Sequence, residues 1–137
     1  MSLFNVFEIS GSSLSAQSVR LNTIASNLAN AQVVGSSPET AYKAKYPIFS
    51  AAFDSARINQ GAVGVRVDDI VESTVEPRRE YAPSHPKANE EGFIYRSNVD
   101  SVEEMANMIS ASRSYQSSIE AMKTTKQLII RTLSLGK

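Results

Sequence analysis

The sequence predicts a mainly α protein with a small β part. Long N- and C-terminal helices would pack as an antiparallel, coiled-coil-like pair, and the middle segment would be a proline-containing extended stretch or β-hairpin. Apolar residues recur with helical spacing at both ends of the 137-residue chain. All five prolines and four of the six glycines lie between those ends. We therefore divide the chain into an N-terminal helix (1–31), a central loop and β segment (32–98) and a C-terminal helix (99–137).

The first region is predicted to form one amphipathic helix from residue 4 to about residue 31. Its only charged residues are Glu8 and Arg20, and the rest of its polar surface is Ser, Thr, Asn and Gln. Such small uncharged side chains can hydrogen-bond across an interface without the desolvation cost of a charge. We expect this helix to be buried on all sides in an assembly, the alternative being a weakly charged helix that faces water. The apolar stripe has heptad spacing and consists of Phe7, Leu14, Leu21, Ile24 and Leu28.

The middle region cannot be one continuous helix, because prolines interrupt it repeatedly. Valines alternate with other residues from Val63 to Val67, which predicts a strand or hairpin across about 63–76. Residues 92–96 are a second, short extended candidate, and residues 42–53 are ambiguous between strand and helix. Residues 83–86, with a proline at each end, are predicted to form a rigid turn.

The last region is predicted to form a helix of roughly 35 residues, or about 50 Å. Ser101 and Glu104 have the spacing of a capping box, and acidic residues in the first turn suit the helix dipole. After Met105, Lys and Arg residues outnumber acidic ones, and the helix is expected to end at Gly136. The predicted stripe is spaced by three and four residues and consists of Met105, Met108, Ser112, Tyr115, Ile119, Met122, Lys126, Ile129 and Leu133.

A lone pair of helices has only one seam, so it buries only part of its apolar surface. Most of the stability of a protein helix comes from tertiary packing of its apolar face. We therefore expect the isolated pair to be marginally stable and neighbouring copies to supply the missing burial.

Catalytic, cofactor-binding and metal-ligating residues are not predicted anywhere in the chain. Fourteen basic residues balance fourteen acidic ones, so no overall field favours nucleic acid, and Cys is absent. His85 is the only histidine and is expected in a turn, since one imidazole without Cys makes a metal site improbable. No phosphate-binding loop is present to hold a small-molecule substrate. No ordinary secretory signal or bilayer-spanning run is visible, which by itself would favour the cytosol.

Two motifs resemble those of the bacterial flagellar rod and hook axial protein family. The run from Leu21 to Ala31 is similar to the N-terminal signature of that family, and residues 98–116 resemble its C-terminal helix. The short total length and residues 81–95 also resemble one group within this family, the short subunits of the proximal rod. Many relatives continue the first motif directly into a Gly-Tyr step, whereas six residues separate Gly35 from Tyr42 here. The centre of the first motif is Ser26, Asn27, Leu28, Ala29 and Asn30.

This resemblance implies a structural subunit of the proximal rod of the flagellar basal body. The family polymerises helically into a hollow drive shaft that transmits torque and passes exported subunits, with the terminal helices as its axial core. Its members are exported from the cytoplasm to the periplasmic space through the flagellar type III apparatus without signal cleavage. The implied partners are copies of the chain, other rod proteins (FlgB, FlgF, FlgG and FliE), the membrane-embedded ring and the export apparatus.

Two other classes of protein stay open at this point. One is a cytosolic coiled-coil adaptor, and the other is an enzyme or ligand-binding module built on the central region, which would need a concave polar pocket. For the rod subunit, the expected assembly core comprises Phe7, Leu14, Leu21, Ile24, Leu28, Met105, Met108, Ile109, Tyr115, Ile119, Met122, Ile129 and Leu133.

Overall fold

The computed structural model describes residues 3–53 and 63–136 and confirms a mainly helical fold with a small β part. Residues 1, 2, 54–62 and 137 of the predicted regions lie outside the described residues. The elements, in chain order, are α1 (Leu3–Asn30), β1 (Val34–Gly35), β2 (Lys45–Ala52), β3 (Gly64–Glu72), β4 (Arg78–Tyr81), β5 (Phe93–Arg96) and α2 (Ser101–Leu135).

The two long helices pack against each other in antiparallel orientation, as predicted. The Ser13 and Ser118 hydroxyl oxygens are 3.0 Å apart across the seam, and Gly11 faces the methyl group of Met122. Helix α1 has 28 residues and α2 has 35, so they are about 42 and 52 Å long at 1.5 Å per residue. In the described part of the chain, neither helix has a stretch apolar enough to cross a bilayer.

The start of α2 differs by one residue from the predicted capping box. Asp100, rather than Ser101, is the N-cap, and its carboxylate accepts hydrogen bonds from the backbone N–H groups of Val102 and Glu103. A carboxylate at this position satisfies free N–H groups and also suits the positive end of the helix dipole. Glu104 therefore does not stand at the capping-box position of this helix. The helix ends at Leu135, and Gly136 is its C-cap.

The predicted strand near residue 63 is β3, but its hairpin partner is β2. The two strands pair antiparallel from Lys45 opposite Glu72 to Ala52 opposite Gly64, with a register shift between Ile48 and Phe49. The ambiguous stretch 42–53 is therefore largely strand, and a hairpin contained within 63–76 is wrong. The strand predicted at 92–96 is β5, which lies between β1 and β4 in a second antiparallel sheet.

Helix α1 occupies the middle of the molecule, with α2 on one face and the β2–β3 hairpin on another. Ser12 marks the hairpin contact, because its hydroxyl accepts a hydrogen bond of 3.1 Å from the backbone N–H of Val65. Small residues dominate the buried apolar side chains, which are Ala16, Ile24, Ala41, Ala44, Ile94, Val99 and Ala111. The chain therefore has no large central core within its described residues.

The face that α2 turns towards α1 includes part of the predicted stripe, since Met122 contacts Gly11, but its most buried residues lie beside that stripe. The buried residues of α2 are Glu104, Ala111 and Thr125, at heptad-related positions. Met105 and Lys126, which directly follow two of them and belong to the predicted stripe, are exposed. Consecutive residues lie about 100° apart around a helix, so the most buried line of α2 lies beside the stripe and carries small and polar side chains.

Two glycines provide a matched test of the packing. A Cβ at Gly11 would lie 3.7 Å from the Met122 methyl carbon, an ordinary contact, whereas one at Gly35 would lie 2.6 Å from the Ala41 nitrogen. Gly11→Ala should therefore stabilise the chain by about 0.8 kcal/mol, the usual helix-propensity difference. Gly35→Ala should destabilise it by about 2 kcal/mol through overpacking. Urea unfolding followed by circular dichroism measures both, and a destabilised Gly11→Ala chain would contradict the packing described here.

Candidate assembly interface

Asn27 joins the end of α1 to the start of β2. Its side chain is completely buried. The amide nitrogen donates to the Lys45 carbonyl oxygen at 2.9 Å. The amide oxygen accepts from the Lys45 backbone N–H at 2.9 Å and from the Tyr42 hydroxyl at 3.0 Å. These three hydrogen bonds tie Asn27 to the chain that follows the helix and fix where the hairpin begins.

The neighbouring motif residues support the same joint. The Ser26 hydroxyl oxygen is 3.3 Å from the Tyr42 hydroxyl oxygen. The Asn30 amide donates to the Ser26 carbonyl at 2.8 Å, which satisfies a carbonyl in the last turn of the helix. Leu28 is half-buried and Ala29 is exposed. The sequence identified these residues through the family resemblance, and Leu28 also through its heptad spacing, but it did not predict their contacts.

Asn98 forms a second joint, at the start of α2, which sequence reasoning missed. Its amide oxygen accepts from the Ala44 backbone N–H at 2.7 Å, and its amide nitrogen donates to the Val75 carbonyl at 2.6 Å. Asn98 lies between strand β5 and the helix N-cap; it is the first residue of the second family motif, but that resemblance gives no hydrogen-bond partners. The two asparagines together fasten both helices to the strands.

Glu104 is the most unusual polar residue of the helix pair. Only 1% of its surface is exposed, and its Oε2 atom has no hydrogen-bond partner within the described residues. Burial raises the pKa of this carboxyl, and a hydrogen bond from Asn27 opposes the increase. Glu103 raises the pKa further, and Arg20 lowers it. The surroundings of this carboxyl therefore disfavour its charged form, and its Oε2 atom accepts no hydrogen bond from the described residues.

A cleft of about 370 Å³ opens beside Glu104, between α1, the first turns of α2 and strand β2. Tyr46 lines it, and the pKa of its hydroxyl is raised by burial and, to a smaller extent, by Glu104 and Glu103. The Nζ atom of Lys45, another lining residue, forms an ion pair with the Oε1 atom of Glu72 at 3.7 Å. The walls combine apolar and polar side chains: Arg20, Ile24, Lys45, Tyr46, Pro47, Phe49, Glu104 and Asn107.

The predicted assembly-core residues fall into three groups in the single chain. Ile24 is buried, and four side chains remain exposed: Phe7 (40%), Met105 (50%), Ile109 (57%) and Leu133 (68%). Their role in contacts between copies stays a prediction, but large apolar side chains are available on both helices. The half-buried members are Leu14, Leu21, Leu28, Met108, Tyr115, Ile119, Met122 and Ile129.

His85 and the surface pair of Asp68 and Arg66 have local structural contacts. The Nδ1 atom of His85 accepts a hydrogen bond from the Lys87 backbone N–H at 3.1 Å, within the turn predicted there. Asp68 pairs with Arg66 at 2.6 Å on the surface of the hairpin. These contacts account for the residues as parts of a turn and of a strand surface.

Two family models and several known proteins match the sequence. The model described as "Flagella basal body rod protein" matches residues 7–35, and "Flagellar basal body rod FlgEFG protein C-terminal" matches residues 90–135. The "Flagellar basal-body rod protein FlgC" of Yersinia enterocolitica is 46% identical over all of both chains. The proteins of the same name from Salmonella typhimurium (strain LT2) and Buchnera aphidicola subsp. Acyrthosiphon pisum are 44% and 42% identical, again over all of both chains.

Asn27→Ala tests the joint between α1 and β2. The change removes the partner of the Lys45 N–H, the Lys45 carbonyl and the Tyr42 hydroxyl, and also a hydrogen bond to the buried Glu104 carboxyl, so the free energy of unfolding should fall by about 3 kcal/mol. Asn30→Ala is the control, because its single bond to the Ser26 carbonyl is exposed and should contribute roughly 0.5 kcal/mol. Urea unfolding measures both variants. Equal losses for the two would contradict the joint.

The pH dependence of stability tests the buried carboxyl. Because its folded pKa is raised, Glu104 binds a proton more tightly in the folded than in the unfolded chain. Its contribution to stability is therefore full below the ordinary Glu value of 4.5 and is lost as pH rises through the higher folded pKa. Glu104→Gln should be more stable than the wild type at pH 7 and should flatten the decline. Urea unfolding between pH 4 and 8 checks this, and an unchanged profile would contradict it.

Proposed function

The chain belongs to the flagellar basal-body rod protein family and is a structural subunit of that rod, and we propose that it assembles into the proximal rod through α1 and α2. The observation that carries this conclusion is the full-length similarity to rod proteins, with the two family models covering parts of both terminal helices. The relatives are structural proteins, and the chain is not an enzyme. The division into an axial core of residues 1–31 and 99–137, with residues 32–98 packed outside it, is part of the proposal.

The exposed apolar side chains of the helices support assembly. Val102 (73%), Met105 (50%) and Ile109 (57%) form a stripe with helical spacing on the outer side of α2. Single exposed apolar residues are ordinary on protein surfaces, but a contiguous stripe marks an interaction site. Copies and related subunits packed against this stripe would bury it, and the expected assembly core would then be complete.

The C-terminal end of α2 supplies a further contact surface. Since Gly11 faces Met122 in an antiparallel pair, Leu3 reaches only to about residue 130, and α2 continues beyond it. Residues 131–136 are all exposed, including Leu133 (68%) and Leu135 (86%). An apolar helix end that projects past its partner suits contact with an axial neighbour.

The proposed partners are copies of the chain, the other rod proteins, the membrane-embedded ring and the export apparatus. The proposed place is the periplasmic part of the basal body, reached by export without signal cleavage. The small buried core supports this route, because a chain that buries few large apolar side chains can pass unfolded through an export channel and order itself at the growing end. Cells that lack the chain should build no rod beyond its base, which electron microscopy of isolated basal bodies would show.

Ile109→Asp tests assembly without disturbing the fold. The side chain is exposed in the single chain, so the stability of the purified protein should change by less than about 0.5 kcal/mol. In the rod the new carboxylate would be buried without a partner, at a cost of several kcal/mol, and swimming motility should be lost. Leu133→Asp should behave in the same way. Gln116→Asp, at an exposed polar position of α2, is the control and should swim normally.

The outcome that contradicts the proposal is a motile Ile109→Asp strain whose basal bodies contain the variant chain. Loss of motility together with unfolding of the purified variant would mean that Ile109 supports the fold rather than the assembly. Leu133, which lies in the projecting end of α2, then provides the independent test.

A further inference from the structure

The carboxyl group of Glu104 is enclosed in a place that holds no counter-charge. The residue is 1% exposed, and its Oε2 atom accepts no hydrogen bond from the described residues. Arg20 lies nearby but makes no ion pair with Glu104 within the described chain. A carboxylate without a counter-charge is far more costly to bury than a neutral carboxylic acid. The enclosed position therefore suits the protonated form of the side chain.

Titratable and charged groups face Glu104 from all three elements around it. Arg20 is on α1, Glu103 precedes Glu104 on α2, and β2 contributes Lys45 and Tyr46. The two cations among these groups both line the cleft beside Glu104. The positive charge is thus available in the cleft, and not at the enclosed position of the carboxyl group.

The cleft offers the carboxylate a second position. Its volume of about 370 Å³ is many times what one water molecule needs, and Glu104 forms part of its wall. Lys45 is paired with Glu72 at 3.7 Å, but both side chains are largely exposed. Exposed ion pairs contribute little to stability, so Lys45 can turn to another carboxylate at small cost. Arg20 has no ion pair to give up within the described residues.

We propose that Glu104 is a pH-sensitive latch: protonated, it stays buried against Asn27, and ionised, it turns into the cleft towards Arg20 and Lys45. This inference goes beyond the proposed function and does not rest on it. Outward rotation takes the carboxyl group away from Asn27, whose other hydrogen bonds hold the Lys45 backbone at the start of β2. The joint between α1 and β2 therefore loosens when the proton is lost.

The latch opens as the pH rises. Burial raises the pKa of the Glu104 carboxyl, so the proton leaves above the ordinary Glu value of 4.5. The hydrogen bond from Asn27 and the charge of Arg20 lower this pKa, and Glu103 raises it. Below the ordinary value the side chain is protonated and the joint is closed.

Amide hydrogen exchange of the purified chain, followed by NMR, tests the latch. The Lys45 N–H donates to Asn27 at 2.9 Å, whereas the Val65 N–H of the same hairpin donates to Ser12 at 3.1 Å. After correction for the intrinsic pH dependence of exchange, the protection of Lys45 relative to Val65 should fall at least tenfold between pH 5 and pH 8. Val65 is the internal reference, because global unfolding exposes both amides.

Glu104→Gln should abolish this fall, since its neutral side chain has nearly the same shape and stays buried at every pH. Glu103→Gln is the matched control, because it removes an exposed carboxylate one residue away and should leave the fall intact. Arg20→Gln removes a cation from the cleft and should move the midpoint of the fall to higher pH. Arg113→Gln removes an exposed cation of α2 that does not line the cleft, and the midpoint should stay in place.

A constant ratio in the wild-type chain, or an undiminished fall in Glu104→Gln, would overturn the proposal. A Glu104→Gln chain that does not fold would also overturn it, because the neutral form is the one that stays buried. Loss of the fall in Glu103→Gln would assign the titration to the wrong carboxyl group. Equal midpoints for Arg20→Gln and Arg113→Gln would show that the carboxylate does not use the cleft. Lys45→Gln, which removes the other cation, replaces Arg20→Gln if that variant does not fold.

These measurements need no rod, so their outcome is separate from that of the proposed function. A purified chain can lack the latch and still assemble, and a chain with the latch can fail to restore rods in a strain that lacks it.

Discussion

The seam between α1 and α2 is lined mainly by small and polar side chains, with Met122 and Glu104 as larger members, and the rest of the structure follows from this constraint. Ala111 and Thr125 of α2 are buried, and Ser13 meets Ser118 across the seam. Small residues let the helices approach closely, but they bury little apolar surface, which contributes roughly 25 cal/mol per Å². The larger apolar residues are displaced to the borders of the pair. A long helix pair of this kind has a defined shape and a limited cohesive energy of its own.

Directional hydrogen bonds supply the geometry that apolar packing does not. Asn27 and Asn98 each hold two segments of backbone at fixed positions, and both lie where a helix meets the strands. A hydrogen bond adds only about 1 kcal/mol to stability, yet it specifies orientation strongly. The joints therefore set the angle and register of the helices, while in the proposed assembly contacts between subunits would supply the energy that keeps them ordered. Such a separation between the bonds that set geometry and the contacts that supply stability suits a rod subunit. A subunit of this kind needs the correct shape in the assembly but need not be rigid before it assembles.

The long elements could be predicted from the sequence, whereas the contacts between them could not. Both helices have a strong helical period, and the valines of β3 alternate clearly. Strands β1 and β4 are only two and four residues long, and β4 is fully exposed, so neither carries an apolar pattern. The most buried small residues of α2, Ala111 and Thr125, were not predicted, because small side chains give no hydrophobic signal. The bonds of Asn27 to Lys45 and of Asn98 to Ala44 span 18 and 54 residues, which no local pattern encodes.

Amide hydrogen exchange of the same chain, free in solution and within isolated basal bodies, tests the central claim most directly. The claim is that neighbouring subunits, rather than the helix pair itself, keep α1 and α2 ordered. The account predicts that helix amides exchange quickly in the free chain, and become strongly protected in the basal body. Helices that are protected equally in both states would contradict it, because the pair would then be rigid without its neighbours.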